Sequence, residues 1–227
     1  KLRNNVREEL QTGCFPLVLG GDHSQAMGTI SGICQHYQEQ NQDIGVLWVD
    51  AHTDLNTPDT SPSGNIHGMP LATLLGHGPQ QLVGLSGPKP ILKPKNVVIF
   101  GARDVDSTEA PLVGELGIRV YTMQEIDERG TALCIREAID YLLERTSGIH
   151  LSFDLDGVDP EHAPGVGTEV LGGLNLRESH LLCETIASTG KLVGMEMVEL
   201  NPILDIGNKT AEFAVWLIQS ALGKNIL

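Results

Sequence analysis

The stretch that most restricts this chain is Val49-Asp50-Ala51-His52-Thr53-Asp54, which follows the apolar run Ile44-Gly45-Val46-Leu47-Trp48. A short apolar run of this kind reads as a buried strand. At its end come an acid, an imidazole and an acid at alternate positions. In extended backbone, alternate side chains share a face, so Asp50, His52 and Asp54 are expected to converge. Two carboxylates and an imidazole on one patch repel or stay poorly solvated unless a cation sits among them. A polar strand end that caps a helix or meets water explains a single Asp better than it explains this set.

The rest of the chain repeats the pattern. Phe15 to Leu19 reads as a strand running into Gly20-Gly21-Asp22-His23-Ser24, where glycines permit a sharp turn, and a helix follows from about Ser24 to Gln38. After Asp54 comes a long loop, Leu55 to Gly68, rich in Ser, Thr, Asn, Pro and Gly; such loops in compact domains usually serve function. A helix is expected over about Met69 to Leu75, then an exposed Gly/Pro-rich connection over 76–95. Strands are expected at Asn96 to Phe100, Ile118 to Tyr121, Ile149 to Phe153 and Leu192 to Val198, and helices at Thr131 to Glu144, Leu176 to Ala187 and Thr210 to Leu222. Strand alternating with helix implies a parallel sheet with helices on both faces. In such a sheet the carboxyl ends of the strands share one edge, where open α/β folds bind ligands. His23, the 50–54 cluster, Asp106, the Asp154/Asp156 pair and Glu199 all stand at such ends.

With 227 residues and 41% hydrophobic content, one large α/β domain is expected. The chain opens on Lys1, inside a helical pattern that includes Val6 and Leu10, so the domain spanning 1–227 is expected to be incomplete at its N-terminus. A formal charge of -14 argues against nucleic acid and anionic membranes as partners and favours a cationic ligand. No apolar run approaches membrane-spanning length. Cys14, Cys34, Cys134 and Cys183 form no C-x-x-C, and no secretory signal is visible, so free thiols in a reducing cytoplasm are expected.

The candidate ligands are four Asp and two His. Structural zinc prefers Cys and His, and magnesium or calcium seldom recruits imidazole. Mixed carboxylate and imidazole ligation suits Mn²⁺, with Co²⁺, Fe²⁺ or Zn²⁺ as competitors. Six ligands exceed the need of one open catalytic ion, so two ions are expected, and the default chemistry is metal-assisted hydrolysis.

Gly20-Gly21-Asp22-His23-Ser24, Asp50-Ala51-His52-Thr53-Asp54, Ser63-Gly64-Asn65-Ile66-His67-Gly68, Ser152-Phe153-Asp154-Leu155-Asp156 and Glu199-Leu200-Asn201-Pro202, in this order, resemble the arginase (ureohydrolase) family, most closely its bacterial members. The resemblance implies a three-layer α/β/α fold with a mostly parallel sheet, two Mn²⁺ per chain, and hydrolysis of L-arginine to L-ornithine and urea by a metal-bridging hydroxide that attacks the guanidinium carbon. By motif, His23, Asp50, Asp54 and Asp154 would surround one ion. Asp50, His52, Asp154 and Asp156 would surround the other. Asp54 would move a proton to the leaving amine, His67 would shuttle protons, and Glu199 would face the guanidinium. Ser63, Asn65 and Asn56 would hold the α-carboxylate. Asp106, with Glu109 behind it, would read the α-amino group, and Thr168 would line the pocket. Glu169 stands where family members usually carry Pro. The family also implies a homo-oligomer, a trimer or hexamer.

Two other readings remain. An agmatinase or another ureohydrolase would share the metals and differ at the amino-acid clamp, for which Ser63, Asn65 and Asp106 are the discriminating residues. A catalytically inactive assembly subunit would keep the fold without the chemistry.

Overall fold

The strands decide the layers. The structure, a computed structural model, describes residues 1–87 and 90–224. Helix α1 (Leu2–Gln11) precedes β1 (Leu17–Leu19), α2 (Ala26–Gln38) and β2 (Gly45–Val49). Then come α3 (Pro70–Leu74), α4 (Gln80–Val83), β3 (Val97–Ala102), α5 (Ala110–Leu116), β4 (Arg119–Thr122), α6 (Met123–Arg129) and α7 (Thr131–Leu143). The chain continues through β5 (Ile149–Asp154), α8 (Leu176–Ser188), β6 (Leu192–Val198) and α9 (Lys209–Ala221). The six strands form one sheet in the order β1-β6-β5-β2-β3-β4, with every pair parallel.

Strands buried on both faces tend to be apolar at successive positions, and β2 shows why. Leu47 and Val49 join the core beneath α6, α7, α8 and α9, whereas Val46 and Trp48 join the core beneath α1, α2, α3 and α5. The result is the expected α/β/α sandwich. From β2 the chain steps to β3 and β4 on one side, then crosses back to β5 and β6 on the other. The crevice between the carboxyl ends of β2 and β5 is therefore the topological switch point, the place where such sheets take ligands.

Some segments depart from the sequence reading. Residues 76–95 are not merely an exposed connection. Ile91 and Leu92 are buried, and α2 donates to this segment from Gln35 Nε2 to Ser86 O (2.9 Å) and from Gln38 Nε2 to Ile91 O (3.1 Å). Helices α5 and α6 were not anticipated; each is too short to display a helical period. Residues 50–54 do not continue β2, which ends at Val49. Their convergence comes from a turn. Among the described residues no helix is long and apolar enough to cross a membrane.

Candidate metal centre and its cleft

Asp50 leaves β2 at the switch point, and Asp154 ends β5 beside it. The chains approach closely here: a Cβ on Gly157 would come within 3.1 Å of Asp50 N. Asp50 is buried and fixed from both sides. Trp48 Nε1 donates to its Oδ2 (2.9 Å), and the His52 amide donates to its Oδ1 (2.7 Å). Asp154 Oδ1 accepts from the Asp156 amide (2.8 Å) at the start of a single 3₁₀ turn, which places Asp156. Asp156 accepts from the Ala51 amide (3.2 Å) and from Thr168 Oγ1 (2.9 Å). Asp54 lies in left-handed backbone at φ 51°, its carbonyl accepting from the Ala72 amide (3.1 Å). Left-handed backbone is uncommon outside glycine, so local strain is spent on aiming this carboxylate.

His23 comes from the turn after β1. Its Nδ1 lies 3.1 Å from Asp50 Oδ2, 3.2 Å from Asp54 Oδ2 and 3.1 Å from Asp154 Oδ2. His52 Nδ1 lies 3.3 Å from Asp50 Oδ1 and 3.2 Å from Asp156 Oδ2. Asp50 thus offers one oxygen to each imidazole. In both the His23-Asp50-Asp54 and the Asp50-His52-Asp156 group, the donor atoms lie within 4.8 Å of one another.

Several observations fit this donor set to cations. His23 Nδ1 and Asp54 Oδ2 are buried without a hydrogen-bond partner, although several oxygens crowd the nitrogen. Without metal, burial and then the charge of Asp50 push the Asp54 carboxyl up to about 7. Burial and then the neighbouring acids Asp156 and Asp50 raise Asp154. Burial and the Asp50 charge raise Asp156. Burial opposes the charge on His52, yet Asp156 and Asp50 hold its proton up to about 12. Protons thus stand in for positive charge that the cluster needs. The mixture of oxygen and imidazole nitrogen suits a transition-metal ion of the manganese type.

Behind His23 the polar contacts continue into the sheet. The ring stacks on Trp48, with centroids 4.0 Å apart and planes at 13°. Its Nε2 is 2.8 Å from Ser152 Oγ; that hydroxyl donates to Glu196 Oε1 (2.8 Å), which also meets His150 Nε2 at 3.4 Å. Burial alone would raise the Glu196 carboxyl, but the His150 hydrogen bond and the positive charge nearby hold it below its ordinary value. Sequence reading missed this relay. Its visible signals are a Glu in the otherwise apolar β6 and the His150 and Ser152 that alternate with apolar residues in β5.

The cluster floors a cleft of about 240 Å³. Glu199, also left-handed at φ 64°, lines it, accepts from the His23 amide (2.8 Å) and meets His67 Nδ1 at 3.3 Å. Ser61, Ser63, Asn65 and Asn56 supply neutral polar lining, while Asp104, Asp106 and Glu109 supply acid. Asn56 Nδ2 donates to Asp106 Oδ2 (2.9 Å), and Glu109 accepts from the Leu55 and Asp106 amides (3.2 and 3.3 Å). Glu109 therefore ties two loops together. The candidate ligands and the residues that the resemblance assigns to substrate and proton transfer gather here, with Asp50 in the donor cluster beneath the lining; Glu169 is not among the lining residues. Ser61 and Asp104 are additional lining residues. Arg103 is another unforeseen contributor: its guanidinium donates to Asp156 O (2.7 Å), Gly157 O (3.1 Å) and Val170 O (2.7 Å), clamping the loops that carry Asp156 and Thr168.

Residues 1–223 match the sequence profile of the arginase family. The whole chain is 53% identical to a protein named arginase from Bacillus subtilis (strain 168), of which it covers 75%. It superposes over its full length on the crystal structure of arginase from Bacillus cereus, with a TM-score of 0.95, 50% identity and 76% of that chain covered. The native arginase structure from Bacillus caldovelox gives a TM-score of 0.95 at 51% identity, with all of this chain and 74% of that one covered. With motif order, fold and site geometry in agreement, the chain belongs to the arginase family.

Proposed function

We propose that the chain hydrolyses L-arginine to L-ornithine and urea at a centre of two Mn²⁺ ions. The observation that carries this reading is the pair of imidazole–carboxylate groups sharing Asp50 beneath a cleft with acidic and neutral polar walls. His23, Asp50, Asp54 and Asp154 would hold one ion, and Asp50, His52, Asp154 and Asp156 the other. When bound, the metal pair supplies hydroxide near neutral pH. Glu199 opposes the guanidinium with a carboxylate, the acceptor that matches a planar cation. Asp54 passes a proton from the incoming oxygen to the departing amine, and His67 exchanges protons with solvent. Asp106 binds the α-amino group, backed by Glu109, while Asn56, Ser63 and Asn65 present neutral donors to the α-carboxylate. Thr168 orients Asp156 through its hydroxyl.

This reading includes a single catalytic domain, a homo-oligomer (trimer or hexamer) and a cytoplasmic setting. The unpaired cysteines and the exposed Leu171, Ile203 and Ile206 are consistent with the last two. The test is metal content together with urea release from L-arginine and from agmatine at alkaline pH. Two Mn²⁺ per chain with preference for arginine supports the reading. Faster turnover of agmatine reverses the choice of substrate, and metal uptake with no urea from either assigns the chain to an inactive subunit.

A further inference from the structure

Glu196 and His150 are fully buried, and neither lines the cleft. Buried polar groups cost stability unless paired, so their placement between β5 and β6 calls for a reason. Ser152 has one hydroxyl hydrogen, and an ionised carboxylate can only accept. Because Ser152 Oγ donates to Glu196 Oε1, its hydrogen is committed. The 2.8 Å contact between Ser152 Oγ and His23 Nε2 is then a donation from the ring N–H to the hydroxyl oxygen. A neutral imidazole carries a single ring hydrogen. With that hydrogen on Nε2, the lone pair stays on Nδ1, the atom facing Asp50, Asp54 and Asp154.

We propose that Glu196, acting through Ser152, is a positioning residue that locks His23 in the Nε2–H tautomer and so sets the metal affinity of the His23 group. The inference rests on the two-metal reading above. Trp48 holds the plane of the ring by stacking, and the Glu196–Ser152 pair holds its proton. His150 backs the carboxylate at Oε1, while Oε2 is buried without a partner, so the hydrogen bonding of Glu196 passes through the one oxygen that Ser152 uses. His52, whose ring is partly exposed, belongs to the other group and does not contact this relay.

The test titrates metal-free protein with Mn²⁺, following free Mn²⁺ by electron paramagnetic resonance, in wild type, Ser152→Ala, Ser152→Thr and Glu196→Gln. Outer partners of metal-bound histidines typically change affinity by about 10- to 100-fold. Ser152→Ala is expected to weaken one of the two ions by a factor in that range, with the larger loss confined to that ion. Glu196→Gln should fall between this variant and wild type, and Ser152→Thr, which keeps the hydroxyl, should bind as wild type does. Equal affinities in all four proteins, or equal loss of both ions in Ser152→Ala, overturn the proposal. Circular dichroism of the metal-free forms reports folding; if Ser152→Ala does not fold, Glu196→Gln against Ser152→Thr makes the same comparison. A wild-type protein that takes up no Mn²⁺ refutes the two-metal reading instead, whereas wild type binding two ions alongside unaltered variants refutes only the relay.

Discussion

His67 Nδ1 stands 3.3 Å from Glu199 Oε1, joining the loop ahead of α3 to the end of β6. This hydrogen bond raises the imidazole above its ordinary 6.5, with burial opposing it. A raised folded-state value stabilises the fold fully below the unfolded-state value, and the contribution is lost as pH rises through the folded one. Histidine signals followed by NMR in the metal-free protein should show His67 titrating above 6.5. Glu199→Gln should bring it back toward the ordinary value; an unmoved titration would separate the pair.

Asp54 combines an uncommon backbone with a proposed proton transfer. Asparagine tolerates left-handed backbone well, so Asp54→Asn should fold with wild-type circular dichroism while losing the acid. Removing a general acid–base group typically costs about 10²–10⁴ in rate. Steady-state urea production should fall by that order, and a loss below tenfold would remove Asp54 from the proton path.

Metal uptake should release protons. In the metal-free chain His52 holds its proton up to about 12 and Asp54 up to about 7, and both must let go before a cation binds. Calorimetric titration with Mn²⁺ in buffers of different ionisation enthalpy should therefore give different apparent heats, and affinity should drop as pH is lowered. Buffer-independent heats would contradict this account of the cluster.

Arg103 reaches the loops of Asp156 and Val170 with one planar fork, which a lysine cannot copy. Hydrogen bonds from a charged donor contribute about 1.5–3 kcal/mol. Arg103→Lys should thus lower stability by about 2 kcal/mol, or on the order of 5 °C in Tm for a chain of this size. A melt superimposable on wild type would show that the loops hold without the clamp.

The apolar runs around Trp48 and Phe100 announced the sheet because strands covered on both faces read as near-continuous apolar stretches. The acids and imidazoles at their ends announced the site, since parallel strands deliver their carboxyl ends to one edge. What stayed hidden depends on shape rather than pattern. Helices α5 and α6 are each shorter than two full turns and carry no readable period. The turn that aims Asp54 leaves no mark in sequence, because Asp occurs in strands, caps and left-handed backbone alike. Arg103 and Glu196 look like an ordinary surface cation and a stray charge until the carbonyls and the hydroxyl they meet are known.

The strand order has a consequence for folding. Leu17 in β1 aligns with Met195 in β6, so this pairing joins residues far apart in sequence. Contacts so distant in sequence close slowly, so the β1–β6 seam is expected to form late, after the more local β2–β3 and β3–β4 pairings.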